Sequence, residues 1–377
     1  MTQAAAEDIR TERVAWRSLA EVEDAWRALS RDAATPNIFN GPEFAEAAAR
    51  ALGADEALQA MLAWREDGDG RELVGLMPFR RRNRWGIGFP VVEAWAHPYA
   101  PACLPLVRKD CAEAATIALF DAITADPTLP GIVMLPLLSL DTPFAAALLS
   151  VRKPLYVHAG HQRAVARSAN DGDAYLAQTL SGSRRKRLRQ QLNALAKEGE
   201  ISFSMVRDAR DVDAALGVFL QLEASGWKGQ AGSALKSDPA SRDLADAAVS
   251  ALARRGQVRI LILHVDTRPV AGLVAFVADG TAWLWKIAYD ENFARHSPGK
   301  HVMMEMVRQL LNEEPGLFID SCATPGHPLA DLLLGERMAM GDVVVSAGGR
   351  AGPAFRTANL LERLRGQARV LRDRIRG

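Results

Sequence analysis

Cysteine is scarce in this chain, and net charge is nearly absent. Cys103, Cys111 and Cys322 are the 3 cysteines among 377 residues. Their number is odd and their spacing is not that of zinc ligands, so neither a disulfide framework nor a structural metal is expected. A formal charge of +1 gives no overall pull toward nucleic acid or an anionic membrane, and any basic function has to be local. Long hydrophobic runs are missing as well: no stretch reaches ~18 uninterrupted apolar residues. The opening MTQAAAEDIRTERVAW carries acids and arginines where a signal peptide needs an apolar segment. These absences together read as a soluble cytoplasmic protein with reduced thiols.

What is present is ordinary globular material, 49% hydrophobic and 24% charged, in a length that fits two domains of roughly 150 to 200 residues each. A strand, turn and strand appear in ALQAMLAWREDGDGRELVGLMPF and again in QVRILILHVDTRPVAGLVAF. Gly75, Leu76 and Phe79 match Gly272, Leu273 and Phe276 at a constant offset, and the alanine-rich helix patterns 44–52 and 244–252 align at a similar one. The expectation is an α+β fold of two tandem domains, each a mixed β-sheet flanked by helices. Boundaries are expected at 1–165 and 166–346, with a basic C-terminal helix at 347–377.

The copies diverge after the hairpin. The second continues with TAWLWKIAYD as a strand, then RHSPGKHVMM, then GLFIDSCA as a strand, a helix from about Pro328, and DVVVSA as its last strand. In RHSPGKHVMM, Ser297 can cap a helix, Pro298 suits its first turn, and Val302, Met306 and Leu310 recur at helical spacing. The first amides of such a helix lack internal partners and carry the positive end of its dipole, and Lys300 adds a full charge. That suits a phosphate, although an ordinary capped helix with a solvated lysine fits the same four residues. It is not a Walker A loop, because His301 follows Lys300 and no glycine stands five residues before Gly299.

The order of these stretches resembles the acyl-CoA-binding half of the GNAT acyltransferases. It is most similar to their tandem-domain FemAB-like and cellulose-biosynthesis CelD-like relatives. The resemblance rests on residues 180–206, 222–235, 269–307 and 317–333, with NIFNGPEFAEAAA and LVGLMPFRR similar to the first domain of that family. It implies that His296, Ser297, Pro298, Gly299, Lys300 and His301 meet the phosphates of acetyl-CoA or another acyl-CoA. It also implies that the strand carrying Lys286, Ile287 and Tyr289 runs along the pantetheine arm. The first domain then reads as a degenerate GNAT-like copy, since nothing in it replaces S-P-G-K.

Acyl transfer from a thioester needs a base for the nucleophile's proton, a donor for the oxyanion, and an acid for the thiolate. Asp320, ending a strand, suits the base, or equally a structural carboxylate holding a loop amide. His327 has an ordinary pKa suited to proton transfer, or it is a surface residue at a helix start. Many members of the family place a tyrosine on the following helix, and none stands after Tyr289 here. Cys322 offers a covalent route, or a small buried hydrophobe. Trp227 and Lys228, in SGWKGQAGS, suit an acceptor-facing loop in which the indole stacks on a sugar, or a turn that buries it. Trp283 and Trp285 are expected to share one strand face, at least partly core.

Two basic segments remain. Arg184, Arg185, Lys186, Arg187 and Arg189 precede Leu192 and Leu195 on an amphipathic helix, either a solvated face or an attractor of anions. The tail from Arg356 to Arg376 has 7 arginines against Glu362 and Asp373, with leucines on one stripe that packs on the body or meets a membrane or envelope partner. The expected activity is acyl-CoA-dependent N- or O-acyl transfer to a small-molecule or saccharide acceptor, possible links being exopolysaccharide or cell-envelope synthesis. FemAB-like transfer from aminoacyl-tRNA is the alternative enzyme, disfavoured by the near-neutral charge; a non-catalytic GNAT-like scaffold is the third reading.

Overall fold

The computed structural model describes residues 9–67, 70–152 and 154–376. The chain begins with β1 (Ile9–Ala15), α1 (Glu23–Arg31), α2 (Pro42–Ala51), β2 (Gln59–Asp67), β3 (Gly70–Arg84), β4 (Phe89–Ala94) and β5 (Leu106–Val107). It continues through α3 (Ala112–Ala125), β6 (Ile132–Ser139), α4 (Pro143–Val151), β7 (Leu155–Arg167), α5 (Gly172–Thr179), α6 (Gly182–Leu195), β8 (Ile201–Val206) and α7 (Ala209–Ser225). Then come α8 (Trp227–Gln230), α9 (Pro239–Ala253), β9 (Val258–Val265), β10 (Arg268–Ala278) and β11 (Thr281–Tyr289). Last are α10 (Pro298–Glu313), β12 (Phe318–Asp320), α11 (Pro328–Leu333), β13 (Glu336–Ser346) and α12 (Pro353–Arg376).

Two units form. The first comprises 1–42, 54–161 and 338–377, the second 43–53 and 162–337. In the first, the strand order is β1-β2-β3-β4-β6-β13, with β5 beside β3. All its neighbours are antiparallel except β4 and β6, which pair in parallel at Val92 with Val133 and Glu93 with Met134. In the second the order is β8-β9-β10-β11-β12-β7. Again one parallel pair, β11 with β12, interrupts an antiparallel series. The tandem, mixed-sheet α+β fold expected from sequence is therefore present, with the same pattern of strand directions in both units.

The sixth strand of each sheet is where the expected boundaries fail. The second sheet ends on Val165–Arg167 of β7, which the chain reaches before β8. The DVVVSA segment, expected to finish the second copy, instead lies in β13 and pairs with β6 of the first. Helix α12 also returns to the first unit rather than standing alone as a third segment, burying Phe355 and Ala358 against Val91, Met134 and Val344. Leu360 and Leu364, expected on the packing stripe, are 57% and 51% exposed. The reason is local: the helix packs through Phe355, Ala358, Asn359 and Glu362, on its other side. Leu371 and Ile375 lie outside the described side chains.

The repeat seen in the glycines is real in the strands but not in the helices. A Cβ at Gly75 would stand 3.2 Å from Leu119 on α3, and one at Gly272 3.1 Å from Phe219 on α7. Each glycine lets a helix approach its sheet, but α3 follows its hairpin and α7 precedes it. The aligned segment 44–52 lies in the second unit, where Phe44 meets Phe276 and Trp285 edge-on at 5.9 Å each. Trp285 is thus core, as its face suggested.

Candidate functional site

Strand β11 carries a bulge. Val274 pairs with Lys286 and Phe276 with Trp283, so Leu284 and Trp285 oppose Ala275 alone. A bulge re-aims the side chains beyond it. Ala282 and Leu284 face the core beneath α10, and after the bulge Ile287 and Tyr289 face that same side. The partner strand β12 pairs with β11 only at Thr281, Ala282 and Trp283. Beyond that point the edge of β11 has no strand beside it among the described residues.

A cavity of about 530 Å³ opens along this free edge. Its walls include Ile287, Ala288 and Tyr289 of β11, Ser297 and the first turn of α10 through Lys300, Glu223 of α7, Lys228 of α8, and His327 with Pro328, Leu329 and Leu332 of α11. The structure thereby brings together Lys228, Ile287, Tyr289, Ser297, Pro298, Gly299, Lys300 and His327. Lys286, His296, His301, Asp320 and Cys322 lie outside the lining. The side chain of Trp227 falls outside the described residues; its backbone opens the short helix α8.

Ser297 sits at the N-cap of α10 but does not cap it with its side chain. Its backbone is left-handed at φ 54° and its hydroxyl accepts from Gln191 Nε2 at 3.0 Å. Pro298 takes the first helical position, and Gly299 lies against a phenol: a Cβ there would be 3.3 Å from Tyr289 Cδ1. The crowding expected at Gly299 therefore comes first from Tyr289, in the cavity wall. Lys300 makes no ion pair among the described residues, which leaves its charge available beside the helix start.

The two histidines flanking S-P-G-K point elsewhere. His301 is fully buried, its Nε2 bonding the His296 carbonyl at 3.1 Å, its Nδ1 without a partner, and its pKa lowered to about 4 by burial. His296 is buried and takes Arg295 Nε at 2.8 Å. Neither side chain is placed for a phosphate.

Asp320 is buried with Arg163, Oδ2 to Nη1 3.3 Å, while its Oδ1 accepts the Cys322 amide at 2.8 Å. Both oxygens are thus engaged away from the cavity, whose lining does not include Asp320, and the sequence carries no signal for the arginine partner. The Cys322 thiol is pushed well up by burial, the charge on Asp320 adding and Arg163 and Lys286 opposing; a raised thiol is a poor thiolate nucleophile. Burial also lowers Lys286, whose ammonium lies over the Trp285 ring at 5.6 Å. His327 caps α11, its Nδ1 accepting the Ala330 amide at 3.4 Å. Burial lowers its pKa, with Asp331 opposing. A neutral ring whose Nδ1 accepts carries its proton on Nε2 and is a hydrogen-bond donor there.

Glu223 was not anticipated. It is buried, binds Lys228 Nζ at 3.0 Å through Oε1 and accepts the Leu235 amide at 2.8 Å through Oε2. Lys228 also donates to the Ile287 carbonyl at 2.9 Å, on the free edge of β11. A signal existed: Val212, Leu216 and Phe219 form the buried stripe of α7, and Glu223 continues it. An acid on an apolar stripe needs partners inside the fold.

In the first unit the helix after the hairpin starts differently. This helix, α3, follows Cys111, which makes no cap bond, and carries Glu113 in the first turn, where a phosphate would be repelled. Among the described residues no group of three or more His, Cys, Asp or Glu is placed to hold a metal, and no helix is long and apolar enough to cross a membrane.

One comparison with known proteins falls on part of the second unit. Residues 182–318 match the family model of the Acetyltransferase (GNAT) domain. A search of curated proteins found no match. Among solved structures, FemX superposes with a TM-score of 0.56 at 11% identity, covering 85% of this chain and 95% of that one. A conserved protein of unknown function from Bacteroides thetaiotaomicron VPI-5482 superposes at 0.52 with 10% identity, covering 90% and 99%. At such identities the likeness is one of fold. Residues 182–318, within the second unit, are thus similar to the GNAT acetyltransferase domain.

Proposed function

We propose that the cavity seats the phosphopantetheine end of an acyl-CoA, acetyl-CoA in the simplest case, and that the protein transfers the acyl group to an amine or hydroxyl of a small-molecule or saccharide acceptor. The observation that carries this reading is one cavity bounded by both the free edge of β11 and the first turn of α10. An extended amide-bearing arm needs an unpaired strand edge, and its phosphates need a helix start.

In this reading Gly299, Lys300 and the amides of the first turn hold the pyrophosphate, with Ile287 and Tyr289 along the arm. His327 donates Nε2–H to the carbonyl oxygen as it becomes an oxyanion, its tautomer fixed by the cap on α11. Glu223 takes the acceptor's proton, directly or through water, and Lys228 holds its orientation. The C–S bond then breaks as the bond to the acceptor forms, and the proton ends on sulfur. Asp320 and Arg163 support the loop that carries Cys322 and take no part in the chemistry. A saccharide or envelope acceptor is supported by the CelD-like resemblance in the sequence.

Calorimetric titration of CoA and acetyl-CoA into the protein and into Gly299→Glu tests it. The variant presses on Tyr289 and sets a carboxylate at the phosphate seat, costing about 2–4 kcal/mol, or a 30- to 1,000-fold weaker affinity. Absence of binding by the unaltered protein would end this reading.

A further inference from the structure

The basic run of α6 is the sequence feature that the cavity does not absorb. Arg184, Arg185, Lys186, Arg187 and Arg189 are all exposed. Among the described residues none of the five forms an ion pair or a side-chain hydrogen bond. Other arginines of the same unit are paired, Arg210 with Asp208, Arg242 with Asp246 and Arg268 with Asp290. Five unneutralised like charges within two helical turns repel one another, a cost that an anionic partner removes.

The helix is held beside the cavity. Leu188 and Leu195 are buried, and Gln191 reaches Ser297, a wall of the cavity, at 3.0 Å. At about 100° per residue, Arg184, Arg187 and Gln191 share one stripe, while Arg185, Lys186 and Arg189 lie roughly 100° to 200° around the helix from Arg184. A nucleotide seated by Ser297 meets the first stripe. It cannot also cover the far side of the helix.

We propose that α6 docks an acidic carrier protein that presents its acyl group on a phosphopantetheine arm, the arm entering the cavity at Ser297. This rests on reading the cavity as a pantetheine seat. The arm's phosphate takes the start of α10 and Lys300, and the carrier's carboxylates take α6. The transfer balances as it does with CoA: the thioester C–S bond breaks, the acyl carbon bonds to the acceptor's nitrogen or oxygen, and the acceptor's proton ends on the arm's sulfur. An acidic protein fits better than RNA, because the chain's net charge is only +1 and a long polyanion requires basic surface well beyond one helix.

The test uses the full chain and a bacterial acyl carrier protein, fluorescently labelled, in its apo and holo forms. The unaltered protein is expected to bind the holo carrier more tightly than the apo form, with affinity falling as salt rises. Arg185→Glu/Lys186→Glu/Arg189→Glu, all exposed and outside the cavity, is expected to weaken carrier binding at least tenfold and leave CoA affinity within twofold. Equal carrier binding by the triple variant overturns the proposal. So does binding of CoA without binding of carrier, and so does bulk tRNA binding that the triple variant alone loses. Failure of CoA to bind the unaltered protein strikes at the cavity reading instead, since apo carrier engages α6 without an arm.

Discussion

Asp320→Asn separates a structural carboxylate from a catalytic one. The side chains of Arg163 and Asp320 are 4% and 3% exposed, with N to O at 3.3 Å. At an effective dielectric of ~20, a pair at that distance attracts by about 5 kcal/mol. Asparagine keeps an acceptor for the Cys322 amide but takes the Asp320 charge away from the buried guanidinium, which costs about 3–5 kcal/mol. With a urea dependence of about 1–3 kcal/mol per molar, the unfolding midpoint of the second unit should fall by roughly 1–5 M. Asp320→Leu/Arg163→Met removes both charges and should recover most of that loss. The assay is urea unfolding followed by tryptophan fluorescence, beside acetyl-CoA turnover followed by thiol release. An Asp320→Asn protein with an unchanged midpoint and abolished turnover would refute the reasoning and return Asp320 to the chemistry.

Other expectations are as direct. Glu223→Gln keeps an acceptor for only one of Lys228 and the Leu235 amide, so stability should fall by about 1–3 kcal/mol while turnover drops about 10²-fold or more; turnover within threefold would remove Glu223 as the proton acceptor. Because burial lowers the pKa of His301 from 6.5 to about 4, its unfolded form gains the proton first as pH falls. Its contribution is whole above pH 6.5 and is lost toward pH 4, about 3 kcal/mol in all. His301→Gln should flatten the unfolding midpoint across that window, and parallel pH curves for the two proteins would contradict this. The raised Cys322 thiol should resist iodoacetamide at pH 8 until urea unfolds the second unit, as read by peptide mass mapping. Rapid labelling of the folded protein at Cys322 would count against it.

Much of the fold was written in short-range pattern. The strands at 281–289 and 318–320, the helix starts at Pro298 and Pro328, and the paired hairpins each show periodicity or punctuation within ten residues. The exchange of β7 and β13 does not, because which sheet a sixth strand joins depends on neighbours more than 100 residues away. The site divided along the same line. Backbone-driven features, the glycine and proline at the start of α10 and the edge of β11, were readable. Side chains whose fate depends on a distant partner were not: Asp320 needs Arg163 to be understood, and His301 differs from Lys300 only by which way one turn of helix faces. Glu223 was readable in principle, as an acid on an otherwise apolar stripe.

The interleaving of the two units has a consequence for how the protein is made. A ribosome releases α2 long before the rest of the second unit exists, so Phe44 waits for Phe276 and Trp285 through some two hundred residues of synthesis. The first unit waits longer still, since β13 and α12 are the last elements to emerge. Neither sheet can be completed while the chain is half made, and residues 162–337 produced alone lack α2, which leaves Phe276 and Trp285 without Phe44. Vectorial synthesis therefore offers this protein no early folded half, and the first unit closes only after residues 162–337 have been made.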